Sequence, residues 1–214
     1  MSSTARPSVL LGAGGHARVL VALARASGHQ VLGVCDPMLA ADAVTHWEGL
    51  EVLGDDDALN RFPPDRVTLV LGVGQLAAGT LRGRLYAMWR ARGYDFPMLV
   101  HPAAWVAPGV KLNNGVQVMA GAVIQPGCVV GENSIVNTRA SVDHDCQIGR
   151  DVHVAPGVTL CGAITIDDSA FIGAGATVIQ GLRIGANAVV GAGVTLVRDL
   201  APRTTILGAA NRLR

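Results

Sequence analysis

The chain has 214 residues and a formal net charge of +1; half of it is hydrophobic, 27 residues are glycine, and only eight are aromatic. This excludes a disordered or collagen-like chain, and near-neutral charge gives no electrostatic case for nucleic acid or an anionic membrane as partner. No apolar run reaches the ~18 residues of a transmembrane helix, and residues 1–7 lack the charged-then-apolar order of a signal peptide, so a cytoplasmic protein is expected.

In chain order, residues 8–11 read as a short buried strand running into Gly12-Ala13-Gly14-Gly15-His16-Ala17, with a helix expected over 18–25. Residues 30–34 form a second strand pattern ending at Cys35-Asp36-Pro37, and residues 67–71 a third, ending in Gly72-Val73-Gly74. A helix is expected over 81–92 and a last strand over 98–100. Alternating strands and helices predict a small Rossmann-like α/β domain with a parallel sheet and right-handed crossovers.

Composition then changes. Seven of the eight aromatics lie before residue 106, and residues 106–197 carry only ten charges, which predicts domains at 1–101 and 102–214 with the boundary at His101-Pro102. From Val106 to Leu196 every sixth residue is Val, Ile or Leu, sixteen in succession. Chance gives such a run roughly 10⁻⁸ of the time per frame, so periodicity is the signal to follow. The position two before each hit is mostly small or aliphatic, and Gly109, Gly115, Gly121, Gly127, Gly157, Gly175, Gly181 and Gly193 fall three after. One short strand and one turn per repeat, three repeats per triangular coil, describe a parallel β-solenoid with 18 residues per coil.

Cys35, Cys128, Cys146 and Cys161 form no CxxC pair and read as small core residues. Gly12-x-Gly14-x-x-Ala17 satisfies the dinucleotide fingerprint, with Asp36 where a ribose-binding acid would stand, and equally describes a tight strand-to-helix turn. About 100 residues make only one mononucleotide half of a full Rossmann fold, which disfavours NAD.

The whole chain, from Gly12-Ala-Gly-Gly-His-Ala through Asp143-His-Asp-Cys to Gly208-Ala-Ala-Asn-Arg, resembles the NeuD/PglD-like sugar O-/N-acetyltransferases. The resemblance implies that the solenoid is a left-handed β-helix, and that the protein is a homotrimer using acetyl-CoA and a nucleotide-linked sugar. It implies that Gly14, Gly15 and His16 hold the diphosphate while Asp36 and Gly74 line the base and ribose. His144 matches the family's catalytic base and Asp145 the acid beside it; His153 corresponds to a residue bonding the thioester end of acetyl-CoA. Ala174 and Ala192 match CoA contacts, with Gly173 beside them, and Asn137 matches an asparagine next to the sugar.

The residues themselves agree in part. An aliphatic-lined coil has no place for imidazole, so His144 should project outward, and an adjacent carboxylate fixes its tautomer and raises its basicity. Gly162 lies one coil after His144, leaving room for close approach and an N–H for an oxyanion; it is equally a turn glycine. His153 lies half a coil from His144, so the two should share a site only across a subunit interface. The expected reaction is direct acetyl transfer to the 4-amino group of a nucleotide-linked 4-amino-4,6-dideoxy sugar. An O-acetyltransferase and a non-catalytic trimeric scaffold are the alternatives, and no metal is expected because only two histidines lie in the solenoid.

Overall fold

The structure, a computed structural model, describes residues 6–77 and 79–208. Residues 209–212 of the C-terminal Gly208–Arg212 motif, and the start of the N-terminal segment, therefore lie outside the described residues. The chain divides into two compact units, the first running to Gln75 and from Gly79 to His101, the second taking in Leu76 and Ala77 and the described residues from Pro102. Among the described residues no helix is long and apolar enough to cross a membrane.

The first unit contains β1 (Ser8–Leu11), α1 (Gly15–Ala26), β2 (Val31–Cys35), α2 (Pro37–Ala41), β3 (His46–Trp47), β4 (Leu50–Gly54), β5 (Thr68–Leu71) and α3 (Leu81–Ala91). Its sheet runs β3-β4-β2-β1-β5, parallel except for the β3–β4 hairpin. β1 and β5 are buried at every position, the mark of strands covered on both faces. α1 is capped by Gly14 and buries Ala17, Leu20, Val21 and Ala24, the i, i+3, i+4, i+7 stripe of a helix with one face on a core. Val9, Leu11, Leu69 and Leu71 pack with Tyr86, Trp89, Tyr94 and Phe96, so this layered core is where the aromatic rings gather.

Two expectations need correction. The sheet is not wholly parallel: β3 and β4 turn on Glu48-Gly49, both at positive φ as a tight hairpin turn requires, a dipeptide without the usual Asn-Gly or Asp-Gly signal. Leu99–Val100 is a strand but does not join the five-stranded sheet. Before it, Asp95 O accepts from Leu69 N–H of β5 at 2.9 Å, and Pro97 then lacks the N–H to continue the ladder.

The second unit is a left-handed parallel β-helix. Its strands are two residues long and recur every six, from Trp105–Val106 to Thr195–Leu196, and those before the last coil pair with the strand one coil on, as Val123 does with Ser141. Three faces result. Face one holds Trp105–Val106, Val123–Ile124, Ser141–Val142, Thr159–Leu160, Thr177–Val178 and Thr195–Leu196. Face two starts at Lys111–Leu112 and includes Gln147–Ile148; face three includes Gln117–Val118, Ile135–Val136, His153–Val154, Phe171–Ile172 and Val189–Val190. The second residue of each strand points inward and is buried from Val118 to Leu196; Val106 and Leu112, in the first coil, are half-buried. The register ends after Leu196: Thr205–Ile206 pairs with Val189–Val190, two residues short of a full coil.

Every position three after an inward aliphatic, from Gly109 to Gly193, has φ between +56° and +86°. Eight of these are glycines, where that conformation is unstrained. The others include Asn133, Arg139, Ala163 and Asp145, held there because the corner N–H groups bond one coil back, as Asp145 N–H does to Pro126 O at 3.0 Å.

Candidate active site

His144 occupies the corner between faces one and two, two residues after inward Val142, and its side chain is 60% exposed. Its ring donates from Nδ1 to Asp145 Oδ2 at 2.9 Å, and its backbone N–H donates to Asp143 Oδ1 at 2.7 Å. The Asp145 hydrogen bond, aided by the Asp143 and Asp145 charges, raises the imidazole pKa above its ordinary value of 6.5. With the Nδ1 proton committed to Asp145, the Nε2 lone pair is the basic one.

Glycines in the adjacent coils shape this corner. A Cβ on Gly162 would stand 2.5 Å from His144 Nε2 and 2.6 Å from Cε1, so the ring edge lies where a side chain would otherwise be. A Cβ on Gly127 would likewise collide with the Asp145 carboxylate. Gly162 was legible as the residue one coil after His144; Gly127 stands one coil before Asp145, and the same coil counting applied to the acid would have found it. Asp143, holding the His144 amide, was also missed as a contributor.

The remaining solenoid candidates gather elsewhere. Asn137, Gly173, Ala174 and Ala192 all follow strands of face three, at the corner where the chain turns to face one. Asn137 Oδ1 accepts from Thr138 N–H at 2.7 Å, which directs Nδ2 to His153 Nε2 at 3.2 Å. His153 is 7% exposed and its ring meets Phe171 edge-on, centroids 5.1 Å apart. Accepting from Asn137 places the His153 proton on Nδ1. The structure thus joins Asn137 to His153 and puts His144, Asp145 and Gly162 on the other edge of face one.

In the first unit, Gly14 is the N-cap of α1, Gly15 and His16 are its first helical residues, and a Cβ on Gly14 or Gly15 would meet nothing within 4 Å. Gly74 comes close to His16, where a Cβ would stand 3.2 Å from His16 Cβ. Asp36 serves the backbone with both oxygens. Oδ1 accepts from Met38 and Leu39 N–H, capping α2, while Oδ2 accepts from Ala13 N–H at 2.9 Å. It therefore ties the glycine turn to the end of β2, with lone-pair capacity left on Oδ2.

The Cys146 thiol offers little nucleophilic character. Cys146 is buried, donates to Cys161 O at 3.2 Å, and has its pKa pushed up to about 12 by burial. No group of three or more His, Cys, Asp or Glu suited to a metal occurs among the described residues.

Comparison with known proteins agrees with both halves of the chain. The PglD N-terminal domain matches residues 9–82, and the bacterial transferase hexapeptide (six repeats) matches residues 127–162 and 163–198. A mutant GDP-perosamine N-acetyl transferase from Caulobacter crescentus, solved with CoA and GDP-perosamine, is 36% identical with TM-score 0.86, covering 95% of this chain and 94% of that one. The acetyltransferase domain of PglB from Neisseria gonorrhoeae, solved with acetyl coenzyme A, is 33% identical with TM-score 0.86, covering 95% and 96%. WeeI from Acinetobacter baumannii, 23% identical with TM-score 0.78 over 95% and 97%, shares the fold. No curated protein matches significantly.

Proposed function

Because the chain belongs to the NeuD/PglD-like family of sugar N-acetyltransferases, we propose that it transfers acetyl from acetyl-CoA to the 4-amino group of a nucleotide-linked 4-amino-4,6-dideoxy sugar. The observation that carries this is the exposed His144–Asp145 pair, with Nδ1 held at 2.9 Å and Nε2 directed toward space that Gly162 leaves open. The neutral amine attacks the thioester carbonyl; His144 Nε2 takes the N–H proton as the tetrahedral intermediate forms or collapses and returns it to the departing CoA thiolate. Gly162 N–H is suited to the oxyanion. Gly14, Gly15 and His16 at the start of α1 suit the diphosphate, with Asp36 and Gly74 beside the base and ribose.

The partition of the solenoid candidates supports a composite site. His144 lies on one edge of face one, and Asn137, Gly173, Ala174 and Ala192 on the other, with His153 on face three beside them. If face one is turned to a threefold axis, ring closure sets the first edge of each subunit against the second edge of its neighbour. The amine and thioester then meet between His144 of one subunit and His153 of the next, with the pantetheine arm along Gly173, Ala174 and Ala192.

The test is CoA release with a panel of GDP- and UDP-linked 4-amino sugars and hydroxyl analogues. Turnover only with hydroxyl acceptors would replace N-transfer by O-transfer. His144→Ala should lower kcat by ~10²–10⁴-fold, the usual worth of a general base; unchanged turnover would leave His144 without this role. Separately inactive His144→Ala and His153→Ala chains should regain activity when refolded together, since mixed trimers contain interfaces with both histidines. A fully active monomer would refute the composite site.

A further inference from the structure

One charged side chain lies beneath the turns assigned to the nucleotide. Arg82, the second residue of α3, is 1% exposed. Its Nη1 donates to Leu71 O at 3.1 Å and to Val73 O at 2.7 Å. Burying a guanidinium carries a large desolvation penalty, which these bonds to the loop backbone help to offset.

The two carbonyls flank Gly72, where the loop after β5 lies close against the turn after β1. A Cβ there would stand 2.6 Å from Gly12 O, 2.8 Å from Leu11 O and 2.9 Å from Ala17 Cβ. Gripping both carbonyls therefore sets how Gly72-Val73-Gly74 lies against Gly12–His16. β1 and β5 are sheet neighbours, while the chain leaves β1 for β2 on the other side, so the strand order reverses between them. In open α/β sheets that reversal, at the carboxyl ends of the strands, is where the ligand crevice opens.

We propose that Arg82 is a positioning residue for nucleoside-diphosphate binding, fixing the loop after β5 against the turn after β1 and adding buried positive charge beneath the site. This rests on the nucleotide-sugar reading above. The full chain and its Arg82→Met, Arg82→Gln and Arg82→Lys variants are titrated calorimetrically with GDP, UDP and CoA, with thermal unfolding measured alongside. Loss of a charged hydrogen-bonding group should weaken nucleotide binding by about tenfold or more in Arg82→Met. CoA binding should stay unchanged, and Arg82→Lys should recover part of the loss.

Arg82→Gln keeps donors for the carbonyls without the charge, and serves if Arg82→Met does not fold. Equal nucleotide affinity in Arg82→Gln and wild type, or equal loss of nucleotide and CoA binding, would overturn the proposal alone. A wild-type chain that binds CoA but neither GDP nor UDP would overturn the nucleotide reading and this inference with it.

Discussion

Replacing Gly162 with alanine tests the site with a single carbon atom. The new Cβ would stand 2.5 Å from His144 Nε2 and 2.6 Å from Cε1, whereas comfortable contact needs about 3.5 Å. The ring must therefore retreat by about 1 Å. With the His144 side chain 60% exposed, it can move into solvent. That movement lengthens the 2.9 Å bond to Asp145 toward the limit of a hydrogen bond and shifts Nε2 from the attacking amine. A misplacement of this size costs about 10²-fold in rate. Gly162 does not have the positive φ that would strain alanine, so the fold should be unaffected. The assay is kcat/KM for CoA release together with the thermal midpoint. The reasoning predicts a rate loss of about a hundredfold at unchanged midpoint; wild-type kcat/KM in Gly162→Ala would refute it, and a large fall in midpoint would show that the glycine serves the coil instead.

Asp145→Asn removes the principal cause of the raised His144 pKa. Because the base works unprotonated, the acid limb of the kcat/KM profile should move to lower pH while the plateau falls; an unmoved limb would mean that His144 does not control it. Stability should respond to pH through His29, whose Nε2 lies 2.7 Å from Ser8 Oγ in a chain continuing to Thr68 Oγ1 at 2.6 Å, and whose pKa burial lowers from 6.5. The unfolded chain takes the proton first, so this contribution is complete above pH 6.5 and is lost as pH falls from there through the folded pKa. Urea unfolding at two pH values bracketing 6.5 should show this loss in wild type and a flatter response in His29→Gln; parallel slopes would rule it out.

The solenoid is legible in sequence because every coil buries one aliphatic per strand and a short turn separates the strands, so the structural period is also a local chemical period. The same counting placed Gly162 on His144. Between the two histidines it gave half a coil, which correctly separated them onto different parts of the prism. In the first unit, helical stripes and buried runs located α1, α3, β1, β2 and β5, and composition alone placed the aromatics there.

Other features depend on contacts between residues far apart in the chain. Arg139 and Ala163 adopt left-handed turns that their own chemistry does not request, because stacking onto neighbouring coils imposes that geometry. Sequence could not orient the Asn137 amide, which the fold turns to His153 through the Thr138 N–H. Asp36 was placed at the end of β2 by sequence, and only the fold shows that both carboxylate oxygens also hold backbone, one capping α2 and one fixing the glycine turn. Arg82 looks in sequence like any arginine opening a helix and is fully buried in the fold. The sequence alone therefore determined the repeat and the two architectures, and it named the candidates for the site. Tertiary structure decided which side chains remain available for chemistry and which are committed to the backbone, because hydrogen-bond partners and burial are set by the stacking of distant segments.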